Sequence, residues 1–377
     1  MTMRKPIAGL IVALALAACS PATTVATPAP SHSWTFEQGG EPGVGGVPLA
    51  MAGTWEQAKG AVSLDGGTGH AASLDRGPIV TTESFTVSAW VSLPPLRLIG
   101  QHVFATAVSQ VGSEAAAFFL GAAEEGHWSF GMKDADTNQP GHTFRASADE
   151  AIPSADRWVY LVGVHDAEIG EIRLHVDGDP AAQTAFDTPF QAEGALTVGR
   201  SQANGHPSNF WPGAVADVRI FESVLDDAQV RDLMESTRPT TPLPAWPATA
   251  DGLSVLNGTY EYRMNPAESI RLEEAFGPEA EAAGFPGDGT VVMRFVDGLW
   301  QQYFLVDDVP YLLNGQAEGD GGTYAVDGDR VVFNGSPYAT YRWTLADDAL
   351  SLTLLGDLPD DDMVRFVTEH TFTRVAG

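Results

Sequence analysis

Short apolar runs, cut at regular intervals by turn residues, limit this chain more than any other feature of its sequence. Ser84-Phe85-Thr86-Val87-Ser88-Ala89-Trp90-Val91 alternates with period two, as does Arg173-Leu174-His175-Val176. That spacing belongs to a strand with one buried face. Asp177-Gly178 follows the second run at once, and both residue types tolerate the positive φ of a two-residue hairpin turn. Residues 158–164 and 214–221 read as further strands. With 40 Gly and 25 Pro among 377 residues, turns dominate over long helices, and an all-β sandwich or barrel is expected. One short helix fits at 225–236, started by Asp226 or Asp227.

The length suits two domains plus a targeting segment. Pro239, Pro242, Pro244 and Pro247 mark a linker over 237–250, which separates a β-sandwich at 32–236 from a second unit at 251–377. In the second unit, strands are expected at 258–264, 290–296, 299–306, 322–326, 330–333, 340–345, 350–355 and 364–375. Asp327-Gly328, Asn314-Gly315 and Asn334-Gly335 supply turns. Residues 266–285, rich in Glu and Ala and broken at Gly277-Pro278, read as a short helical insertion. About eight short strands meet the need of a small antiparallel β-barrel, whose closure removes edge strands.

The single cysteine, Cys19, excludes an intramolecular disulfide. Arg4 and Lys5 precede an apolar run at 7–18, too short for a bilayer core that needs about 20 residues and suited to a signal peptide. The run ends in Leu16-Ala17-Ala18-Cys19, which resembles the lipobox of bacterial lipoproteins. The resemblance implies a signal peptide at 1–18, a lipid on Cys19 and a membrane partner reached through that lipid. It also implies a place on the extracytoplasmic face of the bacterial cell membrane. Residues 19–31, rich in Pro, Ala and Thr, read as a flexible tether. A formal net charge of -29 repels nucleic-acid backbones and anionic membrane surfaces, so no nucleic-acid partner is expected.

Ser33-Trp34-Thr35-Phe36-Glu37, the 84–91 run, Trp158-Val159-Tyr160-Leu161-Val162-Gly163-Val164-His165-Asp166 and Ile172-Arg173-Leu174-His175-Val176-Asp177-Gly178 together resemble laminin-G-like (concanavalin A-like) sandwich modules. Trp211-Pro212-Gly213-Ala214-Val215-Ala216-Asp217-Val218-Arg219-Ile220-Phe221 looks like the closing strand of that family. The resemblance implies a jelly roll of two antiparallel sheets with an extracellular glycan or protein ligand on the concave face or loop rim. It also implies a structural Ca²⁺ with an acid of the closing strand among its ligands, which here is Asp217. The family commonly has two consecutive acids at that point, and this chain has Ala216-Asp217, one ligand fewer. No other cofactor is indicated.

Asp134-Ala135-Asp136-Thr137-Asn138 imitates the start of an EF-hand loop, but Gln139 stands where Gly is needed and Arg145 where the bidentate Glu belongs. Asp166, Glu168 and Glu171 have the acids of a glycosidase strand but fall around a hairpin tip. His165 and His175 lie on adjacent strands without a third metal ligand. No Gly-x-Ser-x-Gly elbow, His-Glu-x-x-His helix or phosphate loop occurs, so no enzymatic activity is expected. Trp34, Trp90 and Trp158 read as core. The loop 204–211 combines Asn204, His206 and Asn209 with Trp211, the amide-plus-aromatic chemistry of a sugar site, or else packs Trp211 over the sandwich end.

The second unit resembles lipocalin-like (calycin) barrels in layout, on Gly258-Thr259-Tyr260-Glu261-Tyr262, Gly322-Thr323-Tyr324-Ala325-Val326-Asp327-Gly328-Asp329 and Tyr341-Arg342-Trp343-Thr344-Leu345. A polar interior would let Arg294 and Arg365 meet an acidic head group; the alternative is an aromatic interior with the charges outside. The reading is a non-catalytic envelope lipoprotein. A hydrolase or lyase of envelope polysaccharide and a structural or assembly module are the alternatives.

Overall fold

The computed structural model describes residues 26–93, 104–123, 126–139, 141–152, 157–240, 242–243, 253–265, 267–268, 289–296, 298–306, 309–310, 312–313, 316–317, 321–335, 339–355 and 367–375. Cys19, Arg365, the linker beyond residue 243 and most of the helical insertion lie outside these residues. Among the described residues no helix is long and apolar enough to cross a membrane.

The period-two runs become strands of two antiparallel sheets. The first has eight strands. Its order runs Asp179–Ala185, Glu171–Val176, Val159–Asp166, Phe85–Ser92, Pro212–Phe221, Ala61–Asp65, Trp55–Ala58, with His32–Trp34 also paired to Pro212–Phe221. The second has seven. Its order runs Thr143–Ala151, His127–Lys133, Ala116–Ala123, Ala105–Val111, Leu196–Val198, His70–Ser73, Leu49–Ala52. Alternate residues of both fill the space between them: Val87, Ala89, Leu161 and Leu174 from one, Phe118, Leu120, Phe130 and Met132 from the other. Phe130 packs onto the backbone of Gly163 across the sandwich, where a Cβ would come within 2.3 Å of its ring.

Asp177 and Gly178 both have positive φ, 51° and 85°, as a two-residue hairpin turn requires. The helix α1, Asp227–Thr237, starts at Asp226, whose carboxylate accepts from the Gln229 backbone N–H while the Gln229 side chain accepts from the Asp226 backbone. This capping box satisfies two otherwise orphaned donors. The helix lays Leu233 and Val230 on Trp90, Tyr160, Val162 and Ala216, the outward row of the eight-stranded sheet. The central strands of that sheet are therefore buried on both faces. A bulge in Pro212–Phe221 makes this possible: Asp217 has a left-handed φ of 43° and the register shifts between Ala216 and Arg219. Ala216 can then face the helix while Val218, two residues on, faces the interior.

The segment read as a flexible tether is laid onto the fold at its far end. The Ser31 backbone N–H donates to the Ile220 carbonyl at 2.8 Å, and the Gln229 amide of α1 donates to the Ala26 carbonyl at 3.5 Å. From residue 26 onward the chain follows the helix side of the sandwich.

In the second unit the pairing runs in chain order through Gly258–Arg263, Thr290–Val296, Leu299–Val306, Gly321–Asp327, Arg330–Gly335, Ala339–Ala346, Ala349–Leu354 and Thr371–Val375, then returns to Gly258–Arg263. This is an up-and-down β-barrel circuit. Val367–Glu369 forms a helical turn, so the last strand is shorter than the sequence suggested. Tyr260, Phe295, Trp300, Tyr324, Phe333, Tyr341 and Phe372 meet inside, and Trp300 stacks on Phe333 at 4.7 Å between centroids. The two units have separate hydrophobic clusters with no residue in common.

Candidate functional site

The two sheets of the sandwich differ on their outer faces. Helix α1 covers the eight-stranded sheet, and no described helix covers the seven-stranded one. Along that second face Phe119 stands opposite Gly131, and Gly131 opposite Arg145. A Cβ on Gly131 would come within 2.2 Å of Phe119 Cζ, so the missing side chain is what lets the ring lie across the sheet towards Arg145. The Arg145 guanidinium carbon sits 5.5 Å from the centroids of both Phe119 and Phe104, within cation–π range. Arg145 and Ser147 are exposed and Phe119 is half-buried. Gly121, Ser129 and Gly131 keep the floor low between them. Lys133 shares this face through its pairing with Thr143 and donates to Thr143 Oγ1 at 2.9 Å and to the Thr137 carbonyl at 3.1 Å. Burial, and secondly the Arg145 charge, lower its pKa, against a smaller opposing effect of Asp134.

Three loops close one end of the face. The Asp136 carboxylate accepts from the backbone N–H groups of Ser113, Glu114 and Ala115 at 2.7–2.9 Å. Asn138 donates to the Glu114 carbonyl at 3.0 Å and to Asn204 Oδ1 at 3.5 Å. Gln202 donates to the carbonyls of Gly112 and Ser113. The EF-like segment 134–138 thus uses its polar side chains to lock neighbouring loops. Asn204 turns the hairpin Ser201–Ala203 to His206–Ser208 with φ 49°, and Asn204 and His206 are exposed at its tip. Asn209, half-buried, accepts on its carbonyl from the Thr106 N–H at 2.9 Å, which fastens the hairpin over the central strands.

For Trp211 and Arg294 the structure takes the alternative reading, and at Asp217 it departs from what the resemblance implies. Trp211 belongs to the interior: it is fully buried, stacks on Trp128 at 6.3 Å and donates its indole N–H to the Ala214 carbonyl at 3.2 Å. It offers no face to a sugar, and the left-handed turn at Asn209 (φ 51°) separates it from the rim. Asp217, expected as a Ca²⁺ ligand, faces Arg219, whose Nε and Nη2 donate to its two carboxylate oxygens. The bulge that serves the helix contact is what brings this fork together. Arg294 points away from the barrel interior, since Met293 and Phe295 on either side of it are in the core, and the aromatic cluster occupies the space meant for a head group. Its charge acts instead on Tyr303, beside Glu261.

The acids around residues 166–171 do form a hairpin end. Asp166 pairs in register with Glu171, and Arg173 reaches them at 3.5 and 3.8 Å respectively. Among the described residues no group of three or more His, Cys, Asp or Glu could hold a metal. His165 and His175 point to opposite faces. His175 meets Asp227 of α1 at 3.0 Å, whereas His165 packs between Phe85 and Phe186 inside the sandwich.

His165 Nδ1 donates to the Glu83 carbonyl at 2.9 Å and its Nε2 is buried without a partner. Burial lowers its pKa from 6.5, so below pH 6.5 the unfolded chain binds this proton more readily than the native one. The stability linked to His165 is complete above pH 6.5 and is lost as the pH falls through the native pKa. Thermal melting from pH 7.5 to 5 should fall more steeply for the native sequence than for His165→Phe; parallel curves would exclude His165 as a source of acid sensitivity.

Sequence reasoning missed Phe119, Gly131, Lys133 and Arg145. The available signal was the alternation in 128–133, where Trp128, Phe130 and Met132 interleave with Ser129 and Gly131, leaving a nearly bare outward face.

Residues 65–231 match the family model described as the concanavalin A-like lectin/glucanases superfamily. Solved structures similar to the chain include domain 4 of AbnA, a GH43 extracellular arabinanase from Geobacillus stearothermophilus, in complex with arabinotriose, at 20% identity, 54% of this chain and 97% of that one covered, TM-score 0.38. A native heptameric SAP-like pentraxin from Limulus polyphemus has 15% identity, coverage of 50% and 89%, and TM-score 0.36. The botulinum neurotoxin serotype D binding domain has 11% identity, coverage of 88% and 80%, and TM-score 0.45. No curated protein matches the chain. With its two packed antiparallel sheets and the family match over 65–231, the N-terminal sandwich has the concanavalin A-like fold.

Proposed function

We propose that this chain is a lipid-anchored, non-catalytic binding protein of the bacterial cell envelope, whose concanavalin A-like domain holds a glycan across the outer face of its seven-stranded sheet. The asymmetry of the two outer faces supports this reading most directly. One is covered by α1, and the other carries an aromatic ring whose outer edge rests on a glycine, exposed polar groups and an amide-bearing rim at Asn204. Flat rings suit the apolar faces of sugars, and a few convergent polar groups fix their orientation. The anchor rests on Leu16-Ala17-Ala18-Cys19 behind a short apolar run. The second unit, lipocalin-like in its meander, has an aromatic interior and serves as a stabilising spacer.

The test uses the full chain against a panel of envelope polysaccharides. At least one glycan should bind, and Phe119→Ala should weaken it by about 10-fold, or roughly 1.4 kcal/mol, with little change in melting. Binding unaffected by Phe119→Ala would move the ligand elsewhere, and binding of proteins alone would replace the glycan reading. In a bacterial host the protein should fractionate with membranes and Cys19→Ser should release it; an unchanged distribution would refute the anchor.

A further inference from the structure

We propose that Arg145 reads a carboxylate on an otherwise neutral sugar chain, so that the ligand is a glycan carrying isolated uronic acid units. This rests on the glycan-binding reading of the same face and specifies its ligand class.

Three observations converge. Arg145 is exposed on the outer side of the seven-stranded sheet, above the buried Ser129 and Lys133, and its guanidinium lies 5.5 Å from both Phe119 and Phe104. A guanidinium held against aromatic rings is positioned at low entropic cost and matches the planar geometry of a carboxylate. A sugar resting on Phe119 would carry its ring substituents within reach of that group.

Cations are also scarce in this chain, with 20 Lys and Arg against 49 Asp and Glu, yet two are neighbours here. The register Thr143 to Lys133 and Arg145 to Gly131 places both on one face, a single pair apart along the strands. Lys133 is only 8% exposed and has two donors committed to Thr137 and Thr143, so it contributes charge from the floor while Arg145 makes the contact. The nearby Asp134 is engaged by His142 at 2.7 Å. A carboxylate on the ligand would meet the combined charge of the two cations.

The net charge of -29 sets the opposite limit. A polyuronide would bring a dense row of negative charge against a strongly acidic surface, whereas a single carboxylate on a neutral chain meets the local pair without the wider repulsion. Isolated acidic units satisfy both conditions.

Uronic acid-bearing oligosaccharides are compared with their carboxyl-reduced counterparts, which keep the shape and lose the charge, and with polygalacturonate. The full chain should prefer the acidic member of a bound pair by about 10-fold or more. Arg145→Gln should erase that preference, so that the acidic and the reduced member bind alike. Arg145→Lys should keep part of it, since charge persists and planarity does not. Equal affinity for both members, lost in Phe119→Ala, would overturn the carboxylate inference and leave the glycan face standing. Tighter binding of polygalacturonate than of the isolated-acid oligosaccharides would overturn the restriction to sparse charge. No binding of any glycan, acidic or neutral, would overturn the glycan reading itself.

Discussion

Trp211→Ala should lower the stability of the N-terminal sandwich by about 3–5 kcal/mol, the usual cost of emptying a large aromatic site. Trp211 is fully buried and stacked on Trp128, and its indole N–H is bonded to the Ala214 carbonyl. The substitution therefore opens a cavity between the closing strand and the opposite sheet and leaves that carbonyl without this donor. Denaturant unfolding followed by near-UV circular dichroism measures the loss. Under conditions where the variant remains folded, glycan affinity should be preserved. Unchanged stability with lost binding would return Trp211 to the ligand site.

Trp300→Ala should cost a similar amount, about 3–5 kcal/mol, in the other unit. Trp300 is 2% exposed and lies nearly parallel to the Phe333 ring, with Phe333 in turn against Phe295 and Tyr341. Because the barrel cluster shares no residue with the sandwich clusters, the two substitutions should act on different transitions in a calorimetric scan. Trp211→Ala should shift one and Trp300→Ala the other. A single transition lowered equally by both would mean that the cores unfold as one cooperative unit.

The alternating runs were readable as strands because one buried face imposes period two, and Asp177-Gly178 was readable as a turn because its residue types tolerate positive φ. Asp347-Asp348 was not foreseen: both residues are left-handed, at φ 51° and 62°, without the glycine that normally signals such a turn. At 327–330 the turn falls one residue later than the Asp-Gly pair suggests, since Asp327 pairs with Arg330 and Gly328-Asp329 makes the bend. The site was less legible for a different reason. Alternation assigns residues to faces but does not say which strands adjoin. Phe119, Gly131 and Arg145 become one feature only through the registers of two successive hairpins. Trp211 was placed near the rim by its sequence neighbours, whereas its spatial partner Trp128 lies far away in the chain.

The docking of residues 26–31 has a consequence for how the domain would stand at a membrane. If Cys19 is the lipid attachment point, the seven residues 19–25 separate it from the docked segment. Fully stretched, they reach no more than about 25 Å. The described chain begins at residue 26 beside α1 and runs on to Ile220, so the helix-covered side would be drawn towards the bilayer. The face bearing Phe119 and Arg145 would look outward. Such a protein would hold its domain within that reach of the lipid, sampling the glycan layer nearest the membrane rather than sweeping the envelope at large.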